Sequence, residues 1–202
     1  MSDLYSWLPG RTAQSGTLEL QKKMAKDQIT RSFSQVYGKP CWGVRRGYGS
    51  FLTLEFGRPH LVIREPGRIA DGVSPRVQKS LARRLVVVHG DWHLWIYCCD
   101  WVVRDAGKII GDSSNARRMD RAAAFLDGQK LSSVSLRARG ARTRFGFDLG
   151  GELETVPFDR TSEQWFLYEP TGKVLALRAD RCISYVRNEA RPNAERWRRL
   201  AV

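Results

Sequence analysis

The sequence lacks any apolar run approaching the roughly 18 residues a membrane-spanning helix needs. Residues 1–16 also lack the basic-then-apolar order of a secretory leader. A soluble, unprocessed, cytoplasmic chain without membrane attachment is expected. Cysteine and histidine are scarce. Cys41, Cys98, Cys99 and Cys182 include no pair at the two-to-four-residue spacing of a metal knuckle. Cys98 and Cys99 are neighbours on an expected strand, so they point to opposite faces and cannot clamp one ion. Buried free thiols in a reducing compartment are the expectation. No glycine-rich phosphate loop is present, and no cofactor is expected.

What is present is basic and aromatic. The 202 residues carry 34 Lys and Arg against 21 Asp and Glu, a net charge of +13, with 42% hydrophobic and 10% aromatic residues. That is enough apolar material for a core and excludes global disorder. The length fits one compact domain over 1–202.

Periodicity divides the chain in two. Leu18, Ala25, Ile29, Phe33 and Val36 recur on one helical face, and Gly38 and Pro40 stop that helix. Leu52, Leu54 and Phe56 then alternate with polar residues, and 92–99 reads as a further strand. In the second half, residues 112–115 are capping types, Ala116, Met119, Ala123 and Leu126 form an apolar stripe, and Gly128 ends it. Residues 38–44 match 128–134 at an offset of 90, and 52–57 match 145–150 at an offset of 93. Leu61 then matches Leu153, and Trp95 matches Trp165. The expected fold is therefore α+β and mainly antiparallel sheet. Two related helix-plus-four-strand halves, 17–105 and 112–187, pack as one unit. A basic insertion at 66–90 belongs to the first half alone, with a short helix expected over 74–85.

Charge is localised. Residues 58–90 carry +5, residues 128–147 carry +5 with no acidic group, and residues 148–180 carry −4. With Gly140-Ala141 as a two-residue turn, Arg139 faces Arg142 and Arg137 faces Arg144, so four guanidinium groups share one face. Like charges directly opposite are destabilising by up to about 1 kcal/mol, so such a face calls for a covering anion. Arginine meets phosphate in a bidentate fork, which points to nucleic acid. Arg45 and Arg46 occupy the equivalent hairpin near Trp42 and Tyr48, and Arg83 and Arg84 lie in the insertion. Residues 192–200, with Arg196, Arg198 and Arg199 around Trp197, read as a short basic helix.

Enzyme-like signals are weaker. Gly111-Asp112-Ser113 has the form of a hydrolase nucleophile block, but all three histidines precede it, and helix capping accounts for it. His89, Asp91 and His93, with His60 from a neighbouring strand, form a candidate zinc hydrolase site. Histidines four apart share a face only on a helix, and this segment reads as turn and strand. Glu55 and Asp148 take corresponding places in the two halves and read as structural. No catalytic residue and no metal are expected.

Residues 49–57, 92–99 and 147–151 look like a group of uncharacterised bacterial proteins, and 126–131 resembles β-rich families with immunity-type roles. The resemblance implies a toxin-neutralising binder but carries over no catalytic residue. Inhibitors of basic nucleases are usually acidic, and this chain is basic. The sequence thus points to a non-enzymatic binder of nucleic acid or another polyanion. The alternative is an immunity or inhibitor protein that engages an acidic protein in a toxin or defence system.

Overall fold

The computed structural model describes residues 26–67, 72, 74–137, 141–189 and 196–200. The first helix, α1, is described over 26–34 and buries Ile29 and Phe33, with Val36 just beyond it. It stops at Gly38, whose φ of 77° favours glycine, and the third helix stops in the same way at Gly128, with φ 89°. That helix, α3 (Ala116–Leu126), is capped by Asn115, whose side chain accepts the Arg118 N–H at 3.1 Å. It buries Met119, Ala122, Ala123 and Leu126, in line with the apolar stripe. The expected helix in the basic insertion is α2 (Pro75–Leu81). None of the described helices is long and apolar enough to cross a membrane.

The rest is antiparallel sheet. In chain order the strands are β1 (Cys41–Arg46), β2 (Leu52–Phe56), β3 (His60–Arg64), β4 (Leu85–His89), β5 (Trp92–Ile96), β6 (Cys99–Asp105) and β7 (Lys108–Asp112). After α3 come β8 (Leu131–Leu136), β9 (Thr143–Phe147), β10 (Gly151–Pro157), β11 (Glu163–Tyr168), β12 (Lys173–Arg178), β13 (Cys182–Arg187) and β14 (Arg198–Arg199). One sheet runs β1-β2-β5-β11-β12-β13-β14, a second runs β7-β6-β10-β9-β8, and β3-β4 form a separate ribbon.

Two sequence expectations need correction here. The segment 92–99 is not one strand: it breaks at 97–98, so β5 lies in the seven-stranded sheet and β6 in the five-stranded one. No proline or glycine marks the break; the Tyr97 N–H still bonds the Gln164 carbonyl of the first sheet at 2.8 Å, and Cys99 already pairs with Pro157 in the second. The C-terminal arginines Arg198 and Arg199 are likewise strand, paired with β13, where a short helix was expected.

The two larger sheets follow one order, β1-β2-β5 then β11-β12 in the first and β8-β9-β10 then β6-β7 in the second. They meet at an isolated antiparallel bridge between Pro40 and Lys130. Beside it, Gly38 N–H donates to the Leu131 carbonyl at 2.9 Å, and Gly128 N–H donates to the Cys41 carbonyl at 2.8 Å. The register departs from the expected offsets. Cys41 pairs with Phe56 and Leu131 with Phe147, so Phe147, not Leu149, takes the place of Phe56. The strand beside β2 is β5, so Leu94 and not Leu61 stands where Leu153 stands. In that alignment Trp101, not Trp95, falls opposite Trp165: each pairs with the residue two beyond those leucines, Thr155 and Ile96. Alternation alone does not fix register, because a slip of two residues preserves which face is apolar.

One apolar cluster serves both sheets. Leu52, Leu54, Leu94, Ile96, Trp165 and Leu167 come from the first, and Trp101, Val103, Phe145 and Leu153 from the second. Phe33 of α1 lies edge-on to both, 5.9 Å from the Phe145 ring and 5.5 Å from Trp165. Residues opposite these inward positions along each strand face outward, and the candidate sites lie there.

Candidate functional site

Glu55 sits in β2 between Leu54 and Phe56, on the outward face, yet its side chain is only 1% exposed. A carboxylate in such a place needs donors. His89 Nδ1 lies 3.0 Å and His93 Nδ1 2.7 Å from Glu55 Oε1, and the Gly90 N–H donates to Oε2 at 2.9 Å. Burial pushes the Glu55 pKa up, but the His93 hydrogen bond and charge, the Gly90 N–H and the His89 charge more than offset this. The net direction is downward, so Glu55 is ionised at neutral pH.

The ladder explains the convergence. Glu55 and His93 are direct partners in the β2–β5 pair, and His60 and His89 are partners at the mouth of the ribbon. His89 reaches Glu55 because Gly90 packs against the β2 backbone. A Cβ there would stand 2.8 Å from Phe56 N and closer still to the Phe56 carbonyl oxygen. The two imidazoles lie 4.6 Å apart and nearly perpendicular, and His93 faces the Tyr168 ring at 5.5 Å.

The cluster borders a cavity of about 800 Å³ whose lining includes His60, His89, His93, Trp95, Tyr168 and Glu169. Glu169 is 9% exposed; its Oε2 accepts the Tyr185 hydroxyl at 2.7 Å, and its Oε1 has no hydrogen-bond partner among the described residues. From the cavity an aromatic row continues over the outward face of β5 and β11. Trp95 lies 5.7 Å from Phe166, Tyr97 lies 5.5 Å from Phe166, and Phe51 stacks on Tyr97 at 4.7 Å. Arg45 stands in the same cross-sheet line, through its pairing with Thr53 and that of Thr53 with Trp95.

The arginines singled out from sequence are distributed over both sheets and the ribbon. In the arginine hairpin the Arg137 N–H donates to the Arg142 carbonyl at 2.9 Å, and Arg144 pairs with Ser135. The expected pairing of Arg137 with Arg144 is therefore shifted by two residues, and Arg142 faces Arg137 where Arg139 was expected. Arg139 itself lies outside the described residues. Arg137, Arg142 and Arg144 do share a face, but a counter-ion is already there. Glu154, 5% exposed, lies 3.8, 3.6 and 3.9 Å from them, and 3.1 Å from Arg104. Glu152 pairs with Arg144 at 3.0 Å. Elsewhere Arg46 is paired with Asp120 at 2.7 Å and Arg84 with Glu65 at 2.8 Å. Arg45 and Arg83 are exposed and have no acidic partner among the described residues.

Of the candidate zinc set, His89 and His93 come together. His60 lines the same cavity, and Asp91 instead accepts the Arg58 N–H at 2.8 Å. Ser113 donates to Asp100 at 2.7 Å, with a carboxylate where a nucleophile would need an imidazole, and Asp112 accepts from Ser114 as a turn residue. Asp148 accepts the Lys130 N–H at 2.7 Å, and Gly146 occupies the place that Glu55 holds in the other sheet. Sequence reasoning missed Glu55 as the hub and the aromatic row as a face. Both leave a signal: an acid between two large apolar strand residues, and Trp95 and Tyr97 out of phase with Leu94 and Ile96.

Comparisons with family models, curated proteins and solved structures return no match.

Proposed function

We propose that the chain binds single-stranded nucleic acid across the outward face of the seven-stranded sheet. The observation that carries this reading is the row Tyr168, Trp95, Phe166, Tyr97 and Phe51, half-buried aromatic rings on adjoining elements that lead into the cavity. Every base presents a π-face, and stacking on an aromatic side chain contributes about 1–3 kcal/mol per base. The net charge of +13 favours approach of a polyanion. Phosphates meet Arg45, which lies in line with Trp95, and the exposed Arg58 and Arg83 on the 57–91 connection. Arg137, Arg142 and Arg144 contribute less, since Glu154 and Glu152 lie among them and offset part of their charge.

The test is fluorescence anisotropy with a labelled oligothymidylate. Trp95→Ala is expected to weaken binding by about 5- to 150-fold, the stacking of one base. With about three phosphates neutralised, log affinity falls with log salt at a slope near −2. A flat salt dependence, or unchanged affinity in Trp95→Ala together with Arg45→Glu, would refute it.

A second reading, an inhibitor-type binder of an acidic protein, is favoured by the β3–β4 ribbon. Leu61, Ile63 and Val86 on it are each more than half exposed, an unusual concentration of apolar surface. Ile63→Lys separates the two: it abolishes capture of an acidic protein partner and leaves oligonucleotide affinity intact.

We also infer that the two larger sheets derive from one duplicated unit. Their common strand order, the reciprocal bonds about Pro40 and Lys130, and the matched Trp101 and Trp165 support this. Each unit then lends a hairpin, β6–β7 or β11–β12, to the sheet of the other.

A further inference from the structure

We propose that Glu55, His89 and His93 bind one divalent transition metal, zinc by their donor chemistry, with the remaining coordination positions open to the adjoining cavity. One carboxylate oxygen and two imidazole nitrogens lie within 4.8 Å of one another. Both Nδ1 atoms aim at the same oxygen, at 3.0 and 2.7 Å. Donors about 2.0–2.1 Å from a tetrahedral zinc stand about 3.3 Å apart, so the two nitrogen–oxygen distances of 3.0 and 2.7 Å open by a few tenths of an ångström while the widest separation in the set, up to 4.8 Å, closes by rotation of the partly exposed imidazoles. On binding, each imidazole presents the Nδ1 lone pair to the cation and carries its one proton on Nε2, any second proton leaving to solvent, so two hydrogen bonds give way to three metal bonds.

The site is built for this role. Glu55 is 1% exposed, His93 15% and His89 28%, so the donors are held by packing. The Gly90 N–H occupies Glu55 Oε2, leaving Oε1 as a single ligand atom, the kind of outer contact that orients metal ligands. Two imidazoles and one carboxylate form a borderline donor set, suited to zinc and its first-row neighbours and not to calcium or magnesium, which take oxygen. Three protein ligands leave room for water or substrate in the fourth position. The cavity of about 800 Å³, with Glu169 among its lining residues, supplies that room. None of this depends on nucleic acid binding.

The test uses the full chain, stripped with chelator, desalted and titrated with Zn²⁺ against a chromophoric competitor. Co²⁺ then serves as a probe of coordination by visible absorption. Wild type is expected to take one equivalent, with a dissociation constant of about 1 µM or tighter. His89→Gln and His93→Gln, both partly exposed and checked by circular dichroism, should each weaken uptake at least about tenfold and alter the Co²⁺ spectrum. His60→Gln, on the same cavity but outside the trio, should change neither. No stoichiometric zinc uptake by wild type, or uptake undiminished in the double variant His89→Gln/His93→Gln, would overturn the proposal. Oligonucleotide binding that survives chelation leaves the metal site to stand or fall on these titrations alone.

Discussion

Gly90→Ala is the sharpest probe of how the chain brings His89 to Glu55. Gly90 does not occupy the left-handed region, so alanine meets no backbone penalty there; the cost is contact alone. The new methyl would lie 2.8 Å from Phe56 N and 2.9 Å is all that separates the Gly90 N–H from Glu55 Oε2. A methyl normally stops about 3.2 Å or more from a backbone polar atom, so the turn must retreat from β2. Overpacking of this kind costs about 1–3 kcal/mol. Retreat also breaks the bond to an ionised, buried carboxylate, a further 1.5–3 kcal/mol or so. Alanine gives back about 0.4–1 kcal/mol by restricting the unfolded chain. The expected net loss is about 2–5 kcal/mol in urea unfolding followed by tryptophan fluorescence. Gly67→Ala is the control, since nothing lies within 4 Å of its added Cβ. It should change stability by less than about 1 kcal/mol. A loss below about 1 kcal/mol in Gly90→Ala, or equal losses in both variants, would refute the close-approach argument.

Three further outcomes are expected. Burial, with the Asp127 charge adding to it, pushes the Cys41 thiol up to about 12, and burial raises Cys99 too. A disulfide-exchange reagent at pH 8 should therefore titrate no more than two thiols in the native protein, Cys98 and Cys182, and all four in denaturant. Burial and the hydrogen bond to Glu169 push Tyr185 up to about 12. Because the folded value is raised, this stabilisation is fully present below the ordinary value near 10 and is lost as pH rises through about 12. Tyr185→Phe should flatten the alkaline fall in urea stability over that window. Glu154→Gln leaves Arg104, Arg137, Arg142 and Arg144 without their shared counter-ion. It should cost about 1–3 kcal/mol of stability and raise oligonucleotide affinity with a steeper salt slope, and unchanged affinity would show that these arginines are out of reach of the polyanion.

Much of the architecture was legible because its signals are local. The stripe of α3, its Asn115 cap and the glycine stops at 38 and 128 follow from helical period and capping chemistry. The hairpin β1–β2 follows from alternation. What was illegible depends on contacts far apart in sequence. The break at 97–98 has no local mark, since it is a change of partner from β11, which takes Tyr97, to β10, which takes Cys99. The arginine hairpin has a register two residues away from the one its turn signal predicts, and its counter-ion Glu154 comes from β10, outside the hairpin. Glu55 read as a repeated turn residue because His89 and His93 reach it only through the β2–β5 ladder and the return of β4. Two histidines four apart looked too distant for one site, yet the tight passage at Gly90 folds them onto a single oxygen.

The two larger sheets, aligned by their common strand order, carry opposed chemistry on their outward faces, and this favours the seven-stranded sheet as the proposed binding face. In the seven-stranded sheet, the outward positions hold Thr53, Glu55, His93, Trp95, Phe166 and Tyr168. The matching positions of the five-stranded sheet hold Arg144, Gly146, Glu152, Glu154, Val102 and Arg104. There the charges close on each other: Arg104 and Arg144 sit directly across from Glu152 and Glu154, and an external phosphate must displace a carboxylate that is already desolvated. On the first sheet the aromatic rings have no such partners, and the buried Glu55 is engaged by two histidines and one backbone N–H. The connection between the middle strands differs in the same sense. From β9 to β10 it is the turn 148–150, whereas from β2 to β5 it is the 57–91 excursion that carries the ribbon, α2 and His89. The longer connection lines the cavity, supplies the second imidazole and holds the exposed Arg58 at the cavity, so the proposed metal site and the proposed binding face meet on the outward side of the seven-stranded sheet.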